Sequence, residues 1–185
     1  MRSKEKSRRH RANGRTLAVR VLSPAATRGT LTIGPFAIPC ALGRSGQQAL
    51  KREGDGATPV GRWPFRCAYF RRDRIAPPRT ALRTQPTQRD DGWCDAPGDR
   101  NYNRPVRLPY PASAEEMWRR DHLYDLVVVL GYNDRPRRRG AGSAIFLHIA
   151  RDGYLPTEGC IAVARRDIVR LVSLLRPGDA IRVGR

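Results

Sequence analysis

A histidine and a cysteine near the C-terminal end of the chain are the side chains best suited to covalent chemistry. His148 lies near the end of an apolar, β-branched run, residues 143–149, and Cys160 begins another, residues 160–163. Asp, Gly and Pro between the two runs are typical of a turn, so the sequence predicts a hairpin that brings both side chains together. A thiol within reach of an imidazole forms a nucleophile and base pair for acyl transfer. We therefore predict Cys160 as the nucleophile and His148 as the general base and acid.

The residues around the cysteine suit that chemistry. Gly159 can adopt backbone conformations that are closed to other residues, and we expect the amides of Gly159 and Cys160 to face a developing oxyanion. A free thiol has a pKa of about 8.5 and is mostly protonated at neutral pH. We expect His148, helped by Arg165 and Arg166, to lower that pKa. The alternative is a structural pair, because cysteines and strand histidines are often simply buried.

Short strand-like runs separated by Gly and Pro surround this pair and predict a mainly β fold with short helices, an α+β class. The chain has 185 residues with 17 Gly and 15 Pro, a length that suits one domain. Strands are predicted at residues 16–22, 29–33, 36–42, 125–130 and 180–183, the first two as an opening hairpin. No apolar run approaches the roughly 20 residues of a membrane span.

Two helices are predicted from local patterns. Ser113 and Glu116 form a capping box, which predicts a short helix over residues 113–120. Apolar residues recur at helical spacing over residues 168–175 and predict an amphipathic helix closed by Pro177-Gly178.

Positive charge dominates the composition, with a formal net charge of +19. Residues 1–15 are rich in Lys and Arg and predict a disordered basic arm ahead of a domain at 16–185. A second basic cluster lies between Arg135 and Arg139. Such surfaces attract polyanions or an anionic surface without specificity. A basic nucleic-acid-binding module with a structural Cys/His pair is therefore the competing interpretation, although no specific nucleic acid is expected because no recognition motif accompanies the charge.

The four cysteines carry less information than the charge. Cys40, Cys67, Cys94 and Cys160 are widely spaced and form no Cys-x-x-Cys pair, which argues against a zinc site. Their spacing leaves open whether the first three form a disulfide.

Several motifs together resemble one known family. His148 with Thr157-Glu158-Gly159-Cys160 resembles the paired signature of the L,D-transpeptidase catalytic domain (YkuD-like). Residues 54–65 are similar to the Thr-Pro-x-Gly-x-aromatic segment of that family. The likeness runs from about Thr16 to the C-terminus, matches a compact single-domain bacterial branch, and includes residues 91–95, 102–106 and 124–133.

This resemblance implies a β-sandwich or barrel that carries the Cys/His site, and a peptidoglycan reaction. Cys160 would attack the carbonyl between an L-centre and a D-centre of a stem tetrapeptide, expel D-Ala and form a thioester, with His148 as base and then acid. An acceptor amine would resolve the thioester to a cross-link, whereas water would make the protein a carboxypeptidase or endopeptidase. The sequence leaves both open. The resemblance also implies carbapenem acylation of the thiol, with no metal and no cofactor.

The substrate contacts are less defined, because this chain departs from the family pattern. Glu158 stands where many members have a second His, and Ala162 where they have Arg or Asn. We expect Thr157 and Glu158 to contact substrate, although Glu158 can equally be a solvated turn carboxylate. Tyr132 and Asn133 follow a predicted core strand at its loop end and are further candidates for substrate binding. An Asn there can also simply shape the turn.

The resemblance implies action in the periplasm or cell envelope. The basic N-terminal segment is not followed by the apolar core of a signal peptide, because Arg20 interrupts residues 17–22. The export route is therefore left open by the sequence.

Overall fold

The computed structural model describes residues 14–184, so residues 1–13 of the predicted basic arm lie outside the described residues. Arg15 lies inside them and forms an ion pair with Asp179 at 2.7 Å. The strands are β1 (Thr16–Arg20), β2 (Arg28–Ile33), β3 (Phe36–Ala41), β4 (Gln47–Gln48), β5 (Thr58–Pro59), β6 (Gly61–Phe70), β7 (Thr84–Pro86), β8 (Asp91–Cys94), β9 (Arg104–Arg107), β10 (Ala114–Glu116), β11 (Leu126–Leu130), β12 (Phe146–Ile149), β13 (Ile161–Val163) and β14 (Ala180–Val183). The helix α1 spans Arg165–Leu174, and a short 3-10 turn spans Asp152–Tyr154.

Eight strands close a mixed barrel. Their order is β11, β12, β13, β3, β2, β1, β14, β6, and β6 pairs again with β11. Most neighbours are antiparallel, while β1 pairs with β14 and β12 pairs with β13 in parallel. Closure of the sheet removes its exposed edges. The mainly β class and the barrel predicted for this chain are confirmed.

The barrel encloses an apolar core because its strands alternate inward and outward side chains. On β11, Leu126, Val128 and Leu130 belong to that core. Val127 and Val129 point to the other face and are also buried, in a second cluster. A strand covered on both faces accounts for the continuous apolar run that predicted a buried strand here.

The second cluster lies outside the barrel, around the outward residues of β11 and β12. Its members come from the barrel wall, from the small sheet β10-β8-β9 and from the loops beside them. They are Tyr69, Trp93, Met117, Tyr124, Val127, Val129, Phe146 and Cys160. The predicted nucleophile therefore belongs to the outer cluster rather than to the barrel core.

Several predicted elements are confirmed. β1 and β2 form the opening antiparallel hairpin, with Ala18 opposite Thr32. The amphipathic helix is α1, which packs against β11 and β12 and ends before Pro177-Gly178.

The sequence left open whether Cys40, Cys67 and Cys94 form a disulfide. All four cysteines are free thiols. Within residues 14–184, no helix is long and apolar enough to cross a bilayer.

Two predicted elements are wrong. The helix expected over residues 113–120 is replaced by β10, whose Glu115 lies opposite Trp93 of β8. Pairing with a neighbouring strand outweighs the local capping signal, since local propensity is a weak prior. The hairpin between His148 and Cys160 is also wrong, because β12 and β13 are parallel, with His148 opposite Ala162. The intervening chain, which contains the 3-10 turn, runs back to the end of the sheet at which β12 begins, and β13 starts from there.

Candidate active site

Cys160 and His148 lie on the same outer face of the barrel. In β12 and β13, Leu147 and Ile161 are register partners and both point into the barrel core. One residue earlier in the ladder, Cys160 therefore lies beside Phe146, and both belong to the outer cluster. His148 is two residues further along the same face of β12. Strand spacing and rise place the Cα atoms of Cys160 and His148 about 8 Å apart, a distance that their side chains can span.

The thiol of Cys160 has two backbone partners. Its sulfur accepts the amide N–H of Phe146 at 3.4 Å, and the S–H donates to the carbonyl oxygen of Ala144 at 3.3 Å. The proton therefore points to the loop before β12 rather than to the imidazole. Catalytic hydrogen bonds are often not formed before substrate binds, so the thiol must turn toward His148 to react.

The imidazole of His148 is fixed in one tautomer. Its Nδ1 lies 2.8 Å from the carbonyl oxygen of Ile149, and because a carbonyl can only accept, Nδ1 carries the proton. This leaves Nε2 with a lone pair. The ring of Tyr124 packs edge-on against the imidazole, with centroids 5.2 Å apart. The backbone contact and the aromatic contact together hold a neutral ring that can accept a proton.

Burial keeps both members of the pair neutral. Cys160 and His148 are 7% and 5% exposed. Burial raises the pKa of the Cys160 thiol to about 12, and the negative charge of Glu115 adds to that increase. Burial lowers the pKa of His148 to about 4. A preformed thiolate and imidazolium pair is therefore disfavoured, and proton transfer must accompany attack on a substrate.

The expectation that His148, Arg165 and Arg166 lower the thiol pKa is wrong. Arg165 forms an ion pair with Asp125 at 2.7 Å, and Arg166 with Asp167 at 3.3 Å. Both guanidinium groups are engaged outside the cleft. The groups that do lower the pKa of Cys160 are the Phe146 amide, Lys51 and Tyr124.

Thr157 holds the turn that presents the nucleophile. Its hydroxyl donates to the carbonyl oxygen of Cys160 at 2.7 Å and accepts the amide of Gly159 at 3.2 Å. Gly159 has φ of 127°, and a β-carbon there would lie 2.7 Å from the carbonyl oxygen of Ala57. Only glycine fits this turn without displacing backbone. Thr157 thus has a visible structural role in addition to its place on the cleft wall.

One cleft of about 420 Å³ is lined by both Cys160 and His148. Thr157 and Glu158 also line it, as predicted for substrate contacts. Glu158 is largely exposed and forms an ion pair with Arg44 at 2.7 Å. The remaining lining is charged with both signs: Glu53, Asp95 and Glu115 are acidic, and Lys51, Arg119 and Arg151 are basic.

Tyr132 and Asn133 are not among the residues that line this cleft. The hydroxyl of Tyr132 donates to the carbonyl oxygen of Ala141, and its ring packs against Trp63. The side-chain amide of Asn133 donates to the carbonyl oxygen of Gly142 at 2.8 Å. Both residues therefore shape the loop that leads to Ala144. For Asn133, this is the structural role that the sequence left open beside substrate binding.

Tyr124 is a site residue that the sequence did not single out. Its hydroxyl donates to the carboxylate of Glu115, and its ring contacts both His148 and Phe146. Burial raises the pKa of Glu115 and keeps that of Tyr124 well above its ordinary value. Two signals were available: Tyr124 opens the family-like segment 124–133, and it directly precedes a predicted core strand, where side chains often reach a ligand.

In the part of the chain that the structure describes, no three His, Cys, Asp or Glu side chains are grouped to hold a metal ion.

Comparison with known proteins gives one match. Residues 27–183 match the family model described as YkuD, L,D-transpeptidase catalytic domain. No curated protein and no solved structure matches the chain.

Proposed function

Since the chain belongs to the YkuD L,D-transpeptidase catalytic domain family, we propose that it is a cysteine acyltransferase that cross-links or remodels peptidoglycan through its stem peptides. L,D-transpeptidase activity is what the family implies. The observation that most supports this specific role is that Cys160 and His148 share one face of the barrel and line one cleft. A merely structural Cys/His pair would not need a cleft of this size beside it.

The proposed reaction has two acyl-transfer steps. Nε2 of His148 takes the thiol proton as the sulfur of Cys160 bonds to the carbonyl carbon between the L- and D-centres. The C–N bond then breaks, and His148 returns the proton to the amine of the departing D-Ala. An acceptor amine attacks the resulting thioester, restores the thiol and forms a new amide bond. Water in place of the amine would give hydrolysis.

Backbone amides are the proposed stabilisers of the oxyanion in each step. We assign the leading role to the amide of Cys160. The amide of Gly159 already donates to the Thr157 hydroxyl at 3.2 Å, a long contact that a charged oxygen could displace, because hydrogen bonds to charged groups are stronger than neutral ones.

The mixed charge of the cleft supports a zwitterionic peptide substrate. A stem peptide carries free carboxylates and, at its diamino acid, an ammonium group. Arg119 and Arg151 could pair with the former, and Glu53 or Asp95 with the latter, all four being cleft residues. Glu158 and Thr157 would contact the peptide at the same lining. Carbapenems would acylate the same thiol by opening of their strained ring.

The proposed site of action is the periplasm or cell envelope. The strongly basic chain would also be attracted to the anionic wall, because net charge governs nonspecific association. Cell fractionation tests this placement, and recovery of all the protein in the cytosol would contradict it.

Product analysis tests the activity itself. The purified chain is incubated with a stem tetrapeptide, with and without an acceptor amine. We expect release of D-Ala and, with the acceptor, a new cross-linked peptide. Tripeptide without cross-link in both reactions would assign a hydrolase on the same scaffold. No D-Ala release, together with tight and salt-sensitive DNA binding, would favour the basic nucleic-acid-binding module instead.

A further inference from the structure

Lys51 is a buried cation at the cleft. It lies in the loop between β4 and β5, and its side chain is only 2% exposed. Buried lysines are rare unless they are paired. Its Nζ donates to Oδ1 of Asp55 at 2.6 Å and to the carbonyl oxygen of Arg52 at 3.4 Å. An ammonium has three donors, so the pairing with Asp55 does not exhaust it.

Asp55 is itself held in place. Its Oδ2 accepts the amide of Arg52 at 2.6 Å, and its Oδ1 accepts the amide of Ala57 at 2.9 Å. Burial raises the pKa of Asp55, but the hydrogen bonds from Lys51 and these two amides outweigh it, so the net shift is downward. The carboxylate is therefore ionised and rigid, and it fixes the direction of the Lys51 ammonium.

The ammonium lies directly behind the turn that carries the nucleophile. A β-carbon built on Gly159 would be 3.4 Å from Nζ of Lys51. On its other side, the Lys51 chain packs against Gly142, where a β-carbon would lie 2.8 Å from Cε. The lysine thus lies between the loop before β12 and the Gly159-Cys160 step, and it lines the same cleft as Cys160.

The side chains around the thiol act on its pKa in opposite directions. From the small sheet, Glu115 raises the pKa of Cys160, while Lys51 and Tyr124 lower it from the two loops that face it. The other titratable or charged groups around this cleft are His148, Glu53, Asp95, Arg119, Arg151 and Glu158. Lys51 is the cation that, together with the Phe146 amide and Tyr124, lowers the pKa of the Cys160 thiol.

We propose that Lys51 is a positioning residue of this site, whose ammonium, oriented by Asp55 behind Gly159, stabilises the thiolate form of Cys160. The inference rests on the proposed function in one respect, that Cys160 is the nucleophile. When His148 removes the proton, the negative charge on sulfur develops in the field of a fixed positive charge behind the same turn, which needs no reorganisation.

The test follows alkylation of Cys160 by iodoacetamide as a function of pH, with peptide mapping to separate it from the other three thiols. In Lys51→Gln, which can still donate to Asp55, we expect the rate of Cys160 alkylation between pH 7 and 9 to fall, because a smaller fraction of the thiol is ionised. A tenfold smaller thiolate fraction should lower the rate only about threefold to fourfold, because a less acidic thiol gives a more nucleophilic thiolate. Lys51→Arg should restore most of the wild-type profile.

Arg44→Gln is the matched control, because it removes one positive charge from an exposed position near the same cleft. It should leave the alkylation rate between pH 7 and 9 unchanged. A Lys51→Gln rate equal to that of the wild type would overturn the proposal, as would an equal fall in Arg44→Gln.

A second variant keeps the test decisive if Lys51→Gln does not fold. The double variant Lys51→Gln/Asp55→Asn replaces the buried ion pair by two amides and leaves no unpaired carboxylate. Its alkylation rate between pH 7 and 9 should still fall below that of the wild type, because the ammonium is absent. A rate equal to or above that of the wild type would contradict the proposal. Alkylation needs no peptide substrate, so a Lys51 effect without D-Ala release would sink the proposed function and leave this inference standing.

Discussion

Tyr124 and Asp125 are adjacent in the chain, yet they serve two buried polar clusters that handle charge in opposite ways. Tyr124 packs on His148 in the cleft, where burial keeps imidazole and thiol neutral. The carboxylate of Asp125 is fully buried and contacts Arg74 at 2.8 Å, Arg165 at 2.7 Å and His122 at 2.9 Å. We refer to the second group as the Asp125 cluster.

The difference lies in how each cluster compensates for burial. Burial raises the pKa of Asp125, but hydrogen bonds from Arg74, His122 and Arg165 reverse that effect, and the pKa ends below its usual value. In the cleft, no comparable set of partners from the described residues 14–184 offsets the effect of burial on the pKa of His148 or Cys160. The charges of the Asp125 cluster are therefore held in fixed ion pairs. In the cleft, by contrast, the proton of the Cys160 thiol can still move to His148.

Loss of the thiol should have the largest effect and should fall on the cleft alone. Cys160→Ala removes the nucleophile, so D-Ala release should drop by at least about 10⁴-fold, the scale seen when a covalent nucleophile is deleted. Thermal unfolding should change little beside this. Residual release within tenfold of the wild type would show that Cys160 is not the nucleophile.

Replacing the base should give the next largest effect. His148→Gln keeps a side chain of similar length but removes the proton acceptor, so we expect a loss of about 10²-fold to 10⁴-fold in kcat. Thiol alkylation at high pH should persist, because the sulfur remains. If kcat is unchanged while only KM rises, His148 binds substrate and does not transfer a proton.

Asp125→Asn should separate the two clusters. It leaves two arginines and a histidine without their buried carboxylate partner, so the unfolding free energy should fall by about 3 kcal/mol. Denaturant titration measures this loss, and the alkylation profile of Cys160 should not move. A shifted profile at unchanged stability would mean that the two clusters are coupled.

The same variant has a pH signature. A carboxyl whose folded pKa is below its unfolded value adds stability that is fully present above the unfolded pKa and is lost as pH falls through the folded pKa. The wild type should therefore lose stability on acidification, and Asp125→Asn should lack that part of the loss. Parallel acid profiles for the two proteins would contradict the charged state assigned to Asp125.

The smallest effect is expected at the rim of the cleft. The side chain of Glu158 is 78% exposed and pairs with Arg44, whose side chain is 55% exposed. Exposed pairs contribute little, so Glu158→Gln should change kcat/KM by less than about threefold. A larger loss, seen with acceptors or donors that carry an ammonium, would instead support the substrate-orienting role.

Whether a feature of the fold or site could be predicted depends on how far apart in the sequence its interacting residues lie. β11 and α1 were predictable because a buried strand gives a continuous run of apolar residues, and a half-buried helix gives apolar residues at helical spacing. Cys160 and His148 were predictable from residue chemistry and family resemblance. The parallel pairing of β12 and β13 was not, since a turn-rich connection fits both a hairpin and a return crossover. The replacement of the predicted helix near Ser113 by β10 could not be predicted either, because β10 forms by pairing with β8.

The charged lining was the least predictable part of the site. Lys51 precedes the recognised segment 54–65, but only the fold brings its ammonium behind Gly159. Tyr132 and Asn133 illustrate the reverse case: their loop position after a core strand was predictable, whereas the hydrogen bonds that their side chains make within the loop were not. Side-chain direction in loops depends on contacts that are distant in sequence.

Covalent trapping of the thiol tests the central claim most directly. The full chain is treated with a carbapenem, and its intact mass and peptide map are recorded for the wild type and for Cys160→Ala. We predict addition of one whole carbapenem, mapped to Cys160, and no adduct in Cys160→Ala. An adduct on another cysteine, or an unmodified wild-type protein after saturating treatment, would contradict the assignment of Cys160 as an acyl-accepting nucleophile.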